Sequence, residues 1–459
     1  MRYISTRGGI DSLSFSQAVM MGLSTDGGLL LPETIPQINA ETLQSWASLS
    51  FQDLATEVIS LFSAGDIDKA DIAKLIKASY ATFDHDEIVP LVNANNSQIL
   101  ELFHGPTAAF KDVALQFLGN LFEYLLKRDG GQLNIVGATS GDTGSAAIYG
   151  VRGKANINIF ILFPYGRVSP IQERQMTTVL DKNVYNLAIN GTFDDGQYIV
   201  KSLFNNLEFK KSHHLGAINS INWARIVAQI VYYFYAWGKA TNGNPEKAVS
   251  FSVPTGNFGD IFAGYMAKRM GLPINKLILA TNRNDILTRF VNSGTYQAGE
   301  VVPTVSPSMD IQIASNFERY LYYLFNGDSE IIKKLMAELT EKGEFSIADN
   351  KKAEVQALFK AVAVSEAETL QQIKETYQAA NYILDPHSAV GVKAATEEAD
   401  CICLATASPA KFSEAVQQAI AQEAPAPKSL QGLMEKETKV HRIDADIEQI
   451  RAFMEQNIS

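Results

Sequence analysis

From about residue 97 onward, short runs of apolar, largely β-branched and aromatic residues recur along the chain. Most end in a Gly- or Ser-rich turn and lead into a stretch whose apolar positions have helical spacing. The runs lie at 98–103, 133–138, 157–163, 184–189, 249–253, 276–281 and 401–406. They are apolar at nearly every position instead of alternating, which marks strands covered on both faces. Strands of this kind alternating with helices predict an α/β, doubly wound core with helices on both sides of parallel sheet.

Outside that repeat the pattern changes. Residues 1–95 read as a mainly helical N-terminal domain, in which the turn Asp26-Gly27-Gly28 precedes Leu29-Leu30-Leu31-Pro32 and helical patterns run to about residue 75. Residues 96–425 form the catalytic core in this reading, with an insertion near 283–384 rich in charge and helix formers, as at 330–342 and 351–376. The stretch Glu423-Ala424-Pro425-Ala426-Pro427-Lys428 is a short extended linker, after which residues 426–459 are expected to pack back on the core.

Composition narrows the function. With 46% hydrophobic and 19% charged residues, the whole chain is expected to fold. Fifty acidic against 39 basic residues give a net charge of −11, a field that repels nucleic acid and anionic membranes. An anionic substrate would therefore need basic groups gathered locally. The two cysteines, Cys401 and Cys403, share one face of a predicted strand and match no usual zinc spacing, so buried thiols are expected, with no disulfide framework and no metal. The N-terminus lacks an apolar leader and the most apolar helical stretch, 226–237, is too short and too polar to span a bilayer. A soluble cytoplasmic protein, monomer or homodimer, is the expectation.

Several strand-to-helix junctions carry residues with chemistry. Lys111, in Phe103-His104-Gly105-Pro106-Thr107-Ala108-Ala109-Phe110-Lys111-Asp112, opens a helix at a strand's C-terminal edge, where open α/β sheets bind ligands. A helix N-terminus disfavours an ammonium and so suits an amine that must be neutral to react, although a lone lysine is as readily a solvated surface charge. The turn Ser140-Gly141-Asp142-Thr143-Gly144 offers N–H groups and hydroxyls to a carboxylate or phosphate; as a Gly/Ser/Thr turn it could equally be a tight connection. The loop Gly256-Asn257-Phe258-Gly259-Asp260 suits a phosphate held by backbone amides, lacks both the Gly-Lys-Ser/Thr end of a P-loop and the dinucleotide fingerprint, and is open to the same bland reading. Arg167, Arg225 and Arg283 each sit near a strand end or helix start among Ser and Asn donors. Singly such arginines are usually ion-pair partners; as a set they suggest an anion site. Thr406 ends a late strand with one hydroxyl to offer a heterocyclic nitrogen, and His387 reads as a hydrogen-bonded structural histidine.

Taken in order, these segments resemble the threonine synthase family, in its longer bacterial and fungal form, within the pyridoxal-phosphate (PLP) enzymes of the tryptophan-synthase β-chain fold (fold type II). The resemblance also takes in Tyr3-Ile4-Ser5-Thr6-Arg7-Gly8, Asp26-Gly27-Gly28-Leu29, Ser308-Met309-Asp310-Ile311-Gln312, Ala314-Ser315-Asn316-Phe317-Glu318-Arg319 and Asp385-Pro386-His387. It implies that Lys111 carries the cofactor, that Gly256, Asn257, Phe258, Gly259 and Asp260 hold its phosphate, and that Thr406 bonds its ring nitrogen. It further implies that Ser140, Gly141, Asp142 and Thr143 receive the substrate carboxylate, and that Arg225, with Ser220, Asn222 and Arg167, receives the substrate phosphate. The implied reaction converts O-phospho-L-homoserine to L-threonine. Two departures stand out: many relatives of the fold have Asn where Asp142 stands, and relatives often carry His in place of Ser408. The alternatives are another PLP lyase of the same fold, such as a hydroxyamino-acid dehydratase or a phospholyase, and a catalytically silent PLP-binding protein.

Overall fold

A computed structural model describes residues 1–458. Numbered in chain order, β1 (Tyr3–Ser5) and β2 (Leu30–Pro32) form a small antiparallel pair, and β3 (Leu91–Ala94) and β4 (Ser97–Glu101) a hairpin. Next come β5 (Leu133–Ala138), β6 (Ile157–Pro164), β7 (Val184–Asn190), β8 (Leu215–Gly216), β9 (Val249–Pro254) and β10 (Ile274–Thr281). β11 (Thr295–Gln297) pairs with β12 (Glu344–Ser346), and β13 (Phe359–Ala363), β14 (Cys401–Ala405) and β15 (His441–Asp444) follow.

Two large sheets result. One has six strands in the order β13-β10-β9-β14-β4-β3, parallel except for β3; the other has the order β15-β7-β6-β5-β8 and is parallel throughout. Every residue of β6, β9 and β14 is buried, as the largely apolar runs lead one to expect, and the few polar members, Asn158, Ser250 and Ser252, are buried with the rest. Helices cover both faces, and the helix Trp223–Thr241 buries Trp223, Tyr232, Tyr233 and Trp237 in the largest core cluster.

One helix pair sets the position of the site. Lys111–Asp129 and Asp142–Val151 each begin just past a strand end, and they touch eight residues further along, at Gly119 and Gly150. A Cβ on Gly119 would lie 1.9 Å from the Gly150 carbonyl oxygen, and one on Gly150 would lie 2.6 Å from that of Leu115. Because the starts are also close, Lys111 Nζ lying 3.4 Å from Asp142 Oδ2, contact at both points means that the helices run side by side in the same direction. Their N-termini, bearing Lys111 and Asp142, open toward the same cleft.

The structure adds strands to the sequence reading. Within the charged stretch at 351–376, helices Asp349–Leu358 and Glu366–Ala380 are separated by β13, which pairs with the edge of β10. Five residues flanked by strong helix formers give a weak local signal, and the free edge of β10 decides the outcome. At the other end β15 pairs with β7, and helix Ile447–Asn457 buries Ile450 and Met454 against that sheet. Among the described residues no helix is long and apolar enough to cross a membrane.

Candidate active site

The cleft is built where two loops zip together. Phe110 N–H donates to the Thr406 carbonyl (2.8 Å), Ser408 N–H to that of Ala108 (3.0 Å), and Ala109 bridges Ala407. The first loop is strained: Ala108 is fully buried at φ 54°, a left-handed conformation unusual for a residue with a Cβ, three residues before Lys111. The second places Thr406 in the cleft, its N–H held by Ser388 Oγ (3.1 Å).

Lys111 is buried, with its Nζ 3.4 Å from Asp142 Oδ2. Burial pushes its pKa below the ordinary lysine value, against the pull of Asp142 and with help from the Lys411 and Arg225 charges. Asp142 is equally buried but ionised. Desolvation alone would raise its pKa, yet Lys411 and Lys111, with a hydrogen bond from Gln172, hold it well below the usual carboxylate range. Lys411 Nζ donates to Oδ1 at 2.7 Å and Gln172 Nε2 to the same oxygen at 2.8 Å. Gly141 is required there, since a Cβ on it would lie 2.5 Å from the Gln172 amide carbon. Thr139 Oγ1 accepts from Gly141 N–H (3.0 Å) and Gly144 N–H (2.9 Å), so the turn is shaped before any ligand arrives.

Opposite Lys111 the loop after β9 enters helix Gly259–Arg269, whose first-turn N–H groups have no partners within the helix. Gly256 is fixed by the Ser308 carbonyl, 2.8 Å from where its Cβ would stand, and Phe258 adopts φ 63°. The Asn257 carbonyl accepts from Asn316 N and Nδ2, both at 3.1 Å, and Arg319 in turn donates to Asn316 Oδ1. Asp260 turns its carboxylate toward Tyr232 and Tyr233, whose hydroxyls donate to Oδ1 at 2.5 and 2.9 Å, while Oδ2 has no partner. Burial raises this carboxyl to about 6 despite the two phenols.

Arg225 lines the same cleft. It is 3% exposed, its Nε and Nη1 meet no partner, and burial lowers its pKa to about 10. Buried guanidinium nitrogens without partners are rare in proteins and mark a place prepared for an anion.

Of the residues singled out in the sequence, the structure gathers Lys111, Thr143, Ser220, Arg225, Gly256, Asn257, Phe258, Gly259, Asp260 and Thr406 around one cleft, with Gly141 and Asp142 at its wall and Ser140 exposed on the same turn. Three are not part of it, among them Arg283, which is exposed and does not line the cleft. Asn222 is fully buried outside the lining of the cleft, donating from Nδ2 to the Val19 carbonyl (2.8 Å) and capping helix Trp223–Thr241 by accepting from Ala224 N–H (3.1 Å). Arg167 is exposed and lines a separate groove with Ser169, Pro303 and Thr304.

Comparison with known proteins decides the family. Three family models match in succession: "Threonine synthase N terminus" over residues 2–80, "Pyridoxal-phosphate dependent enzyme" over 99–404 and "Threonine synthase, C-terminal" over 388–454. Threonine synthase of Saccharomyces cerevisiae is 49% identical over 504 residues, covering 100% of this chain and 98% of that protein. The Pseudomonas aeruginosa threonine synthase is 47% identical, with 100% and 98% covered. The crystal structure of PLP-bound threonine synthase from Brucella melitensis superposes with a TM-score of 0.97 at 47% identity, covering 100% of this chain and 99% of that one. The chain belongs to the threonine synthase family.

As a member of the threonine synthase family it is a PLP-dependent enzyme of fold type II, and the cleft fits that cofactor. A buried amine of lowered basicity, a loop whose Gly256 leaves no room for a Cβ, and a threonine hydroxyl together match an aldehyde, a phosphate and a ring nitrogen. The sequence reading of this threonine synthase fold missed Lys411, Gln172, Thr139, Asn316 and Arg319 as parts of the site. Lys411 lies only five residues beyond Thr406, but a lysine in a polar turn reads as solvated until the fold buries it.

Proposed function

We propose that this protein converts O-phospho-L-homoserine to L-threonine, releasing phosphate from Cγ and adding water at Cβ. Bound in the cleft, the cofactor supplies an electron sink that acidifies the protons on carbons near an attached amino group. Lys111 is the base in this reading: its buried amine, less basic than an ordinary lysine, takes a proton from Cα and, once relieved of it, another from Cβ, and protons are returned to Cγ, which becomes the methyl, and to Cα as water supplies the hydroxyl at Cβ. The Ser140 to Thr143 turn receives the substrate carboxylate at a helix N-terminus. Arg225 receives the phosphate and neutralises the charge that grows on it as it leaves, in a site already stripped of water. Ser220 stands beside it, hydrogen-bonded to Ser315 (3.0 Å). Two cysteines kept as buried free thiols support a cytosolic setting.

The observation that carries the reading is Arg225, a buried cation with two free nitrogens in the cleft that holds Lys111. Its test is phosphate release by Arg225→Ala. Losing a buried charge partner of the substrate phosphate is expected to lower kcat/KM by about 30- to 1,000-fold. Undiminished turnover of phosphohomoserine by Arg225→Ala would take the phosphate-binding role away from Arg225, and equal turnover of phosphate-free hydroxyamino acids by the wild type would replace this reading with that of a dehydratase.

A further inference from the structure

Behind the wall of the cleft, on the side of the groove that Arg167 lines, lies one more buried lysine than a cofactor-bearing role requires. Lys411 is 3% exposed and its Nζ has two acceptors, Asp142 Oδ1 at 2.7 Å and the Thr107 carbonyl at 2.8 Å. Gln172 Nε2 occupies the same carboxylate oxygen at 2.8 Å, so Oδ1 is fully engaged. Oδ2 has only long contacts, 3.4 Å to Lys111 Nζ and 3.4 Å to Ser308 Oγ. A carboxylate stripped of water is stable only if its charge is matched, and here the matching cation lies on the side away from Lys111. The loop zipper of Phe110 and Ser408 brings it there, since Lys411 arrives on the turn that pairs with the loop before Lys111.

We propose that Lys411 is a positioning residue that holds Asp142 turned so that its second oxygen serves Lys111, shares the Asp142 charge with Lys111, and thereby sets how tightly the Lys111 nitrogen holds a proton. The inference rests on the reading of Lys111 as the cofactor-bearing lysine. The other charges near Lys111 have separate tasks. Arg225 faces it from helix Trp223–Thr241 and pushes in the same direction as Lys411. Asp112, beside Lys111 on its own helix, is turned to Thr107 N–H and Oγ1 at 2.8 and 2.7 Å. Asp260 is turned to Tyr232 and Tyr233. His387, on helix Pro386–Ala394, accepts from Ser308 N–H at Nε2 (3.1 Å) and so carries its proton on Nδ1, toward Asp385 (2.8 Å). None of these can replace Lys411 at Asp142 Oδ1.

The test is a pH titration of the visible absorption band of the cofactor-loaded protein, a readout independent of turnover, in K411M, K411R, D142N and K411M/D142N. Removing the Lys411 charge leaves the whole of Asp142 to Lys111, so the K411M midpoint is expected to rise by about one unit or more, roughly tenfold in proton affinity. D142N is expected to lower it by a similar amount, K411R to stay within about half a unit of wild type, and the double variant to return near wild type because equal and opposite charges have gone. Should K411M fail to fold, D142N and the double variant carry the same comparison. A band that titrates alike in wild type and K411M, or a double variant that stays with D142N, overturns the inference and leaves the cofactor reading intact. A wild-type protein that forms no band contradicts the cofactor reading, and the inference falls with it.

Discussion

Arg225 and Asp260 are both buried with polar atoms left over, Nε and Nη1 on one and Oδ2 on the other. Such atoms cost stability unless a ligand meets them. Arg225→Leu is therefore expected to raise the melting temperature of the cofactor-free protein while abolishing turnover of a phosphorylated substrate; a fall in both would mean that the guanidinium is structural. Asp260 makes a pH-dependent contribution. Its folded pKa, about 6, lies above the ordinary carboxyl value of 3.8, so the folded state binds more protons between about pH 4 and 6 and stability falls as pH rises through that window. Asp112 is also raised to about 6 by burial and adds to the same slope. Asp260→Asn keeps an acceptor for the two phenols and removes the charge, so melting curves of the cofactor-free variant are expected to be flatter over pH 4 to 6, and higher at pH 7. The sequence made the ligand-facing residues legible because glycine loops at strand ends have few other uses in combination. It could not show which polar residues support them: Lys411, Gln172 and Asn316 acquire meaning only from partners 30 or more residues away in the chain.

At the scale of elements, the parallel helices Lys111–Asp129 and Asp142–Val151 aim the site, and their contact tolerates no side chain at Gly119 or Gly150. Gly150→Ala puts a methyl 2.6 Å from the Leu115 carbonyl, a backbone atom that cannot step aside. The helices must separate, and a destabilisation of about 1–3 kcal/mol is expected from denaturant unfolding, with weaker cofactor retention as Lys111 and Asp142 part. A Gly150→Ala variant with unchanged stability would show that the contact is looser than described. The buried strands were legible because they are apolar at nearly every position; their observed bounds differ from the sequence reading by a few residues at the ends. β13 and β15 were not, for a physical reason. Both lie at sheet edges, β13 beside β10 and β15 beside β7, where pairing with an existing strand outweighs a weak local preference.

Over the whole molecule, the N-terminal segment is tied to the cofactor loop by a chain of polar contacts. Thr6 Oγ1 donates to Glu318 Oε1 (2.6 Å), Arg7 grips both oxygens of Glu318 (3.1 and 3.0 Å), and the neighbouring Arg319 donates to the carbonyls of Leu30 in β2 and Ile221 as well as to Asn316, which holds the Asn257 carbonyl. Arg7→Ala is expected to cost about 1–2 kcal/mol, the Arg being partly exposed, and to weaken cofactor affinity through this chain; a cofactor titration that matches wild type would confine Arg7 to holding the N-terminal strand. The central claim, that one buried lysine and one buried arginine in this cleft make threonine from a phosphorylated amino acid, is tested most directly by a single assay. Purified protein and Lys111→Ala are given O-phospho-L-homoserine, and phosphate, threonine and the visible spectrum are followed together. Wild type is expected to yield equal amounts of phosphate and threonine, and the variant to lose both products and the lysine-dependent band; phosphate without threonine, or turnover that survives in Lys111→Ala, would overturn the assignment.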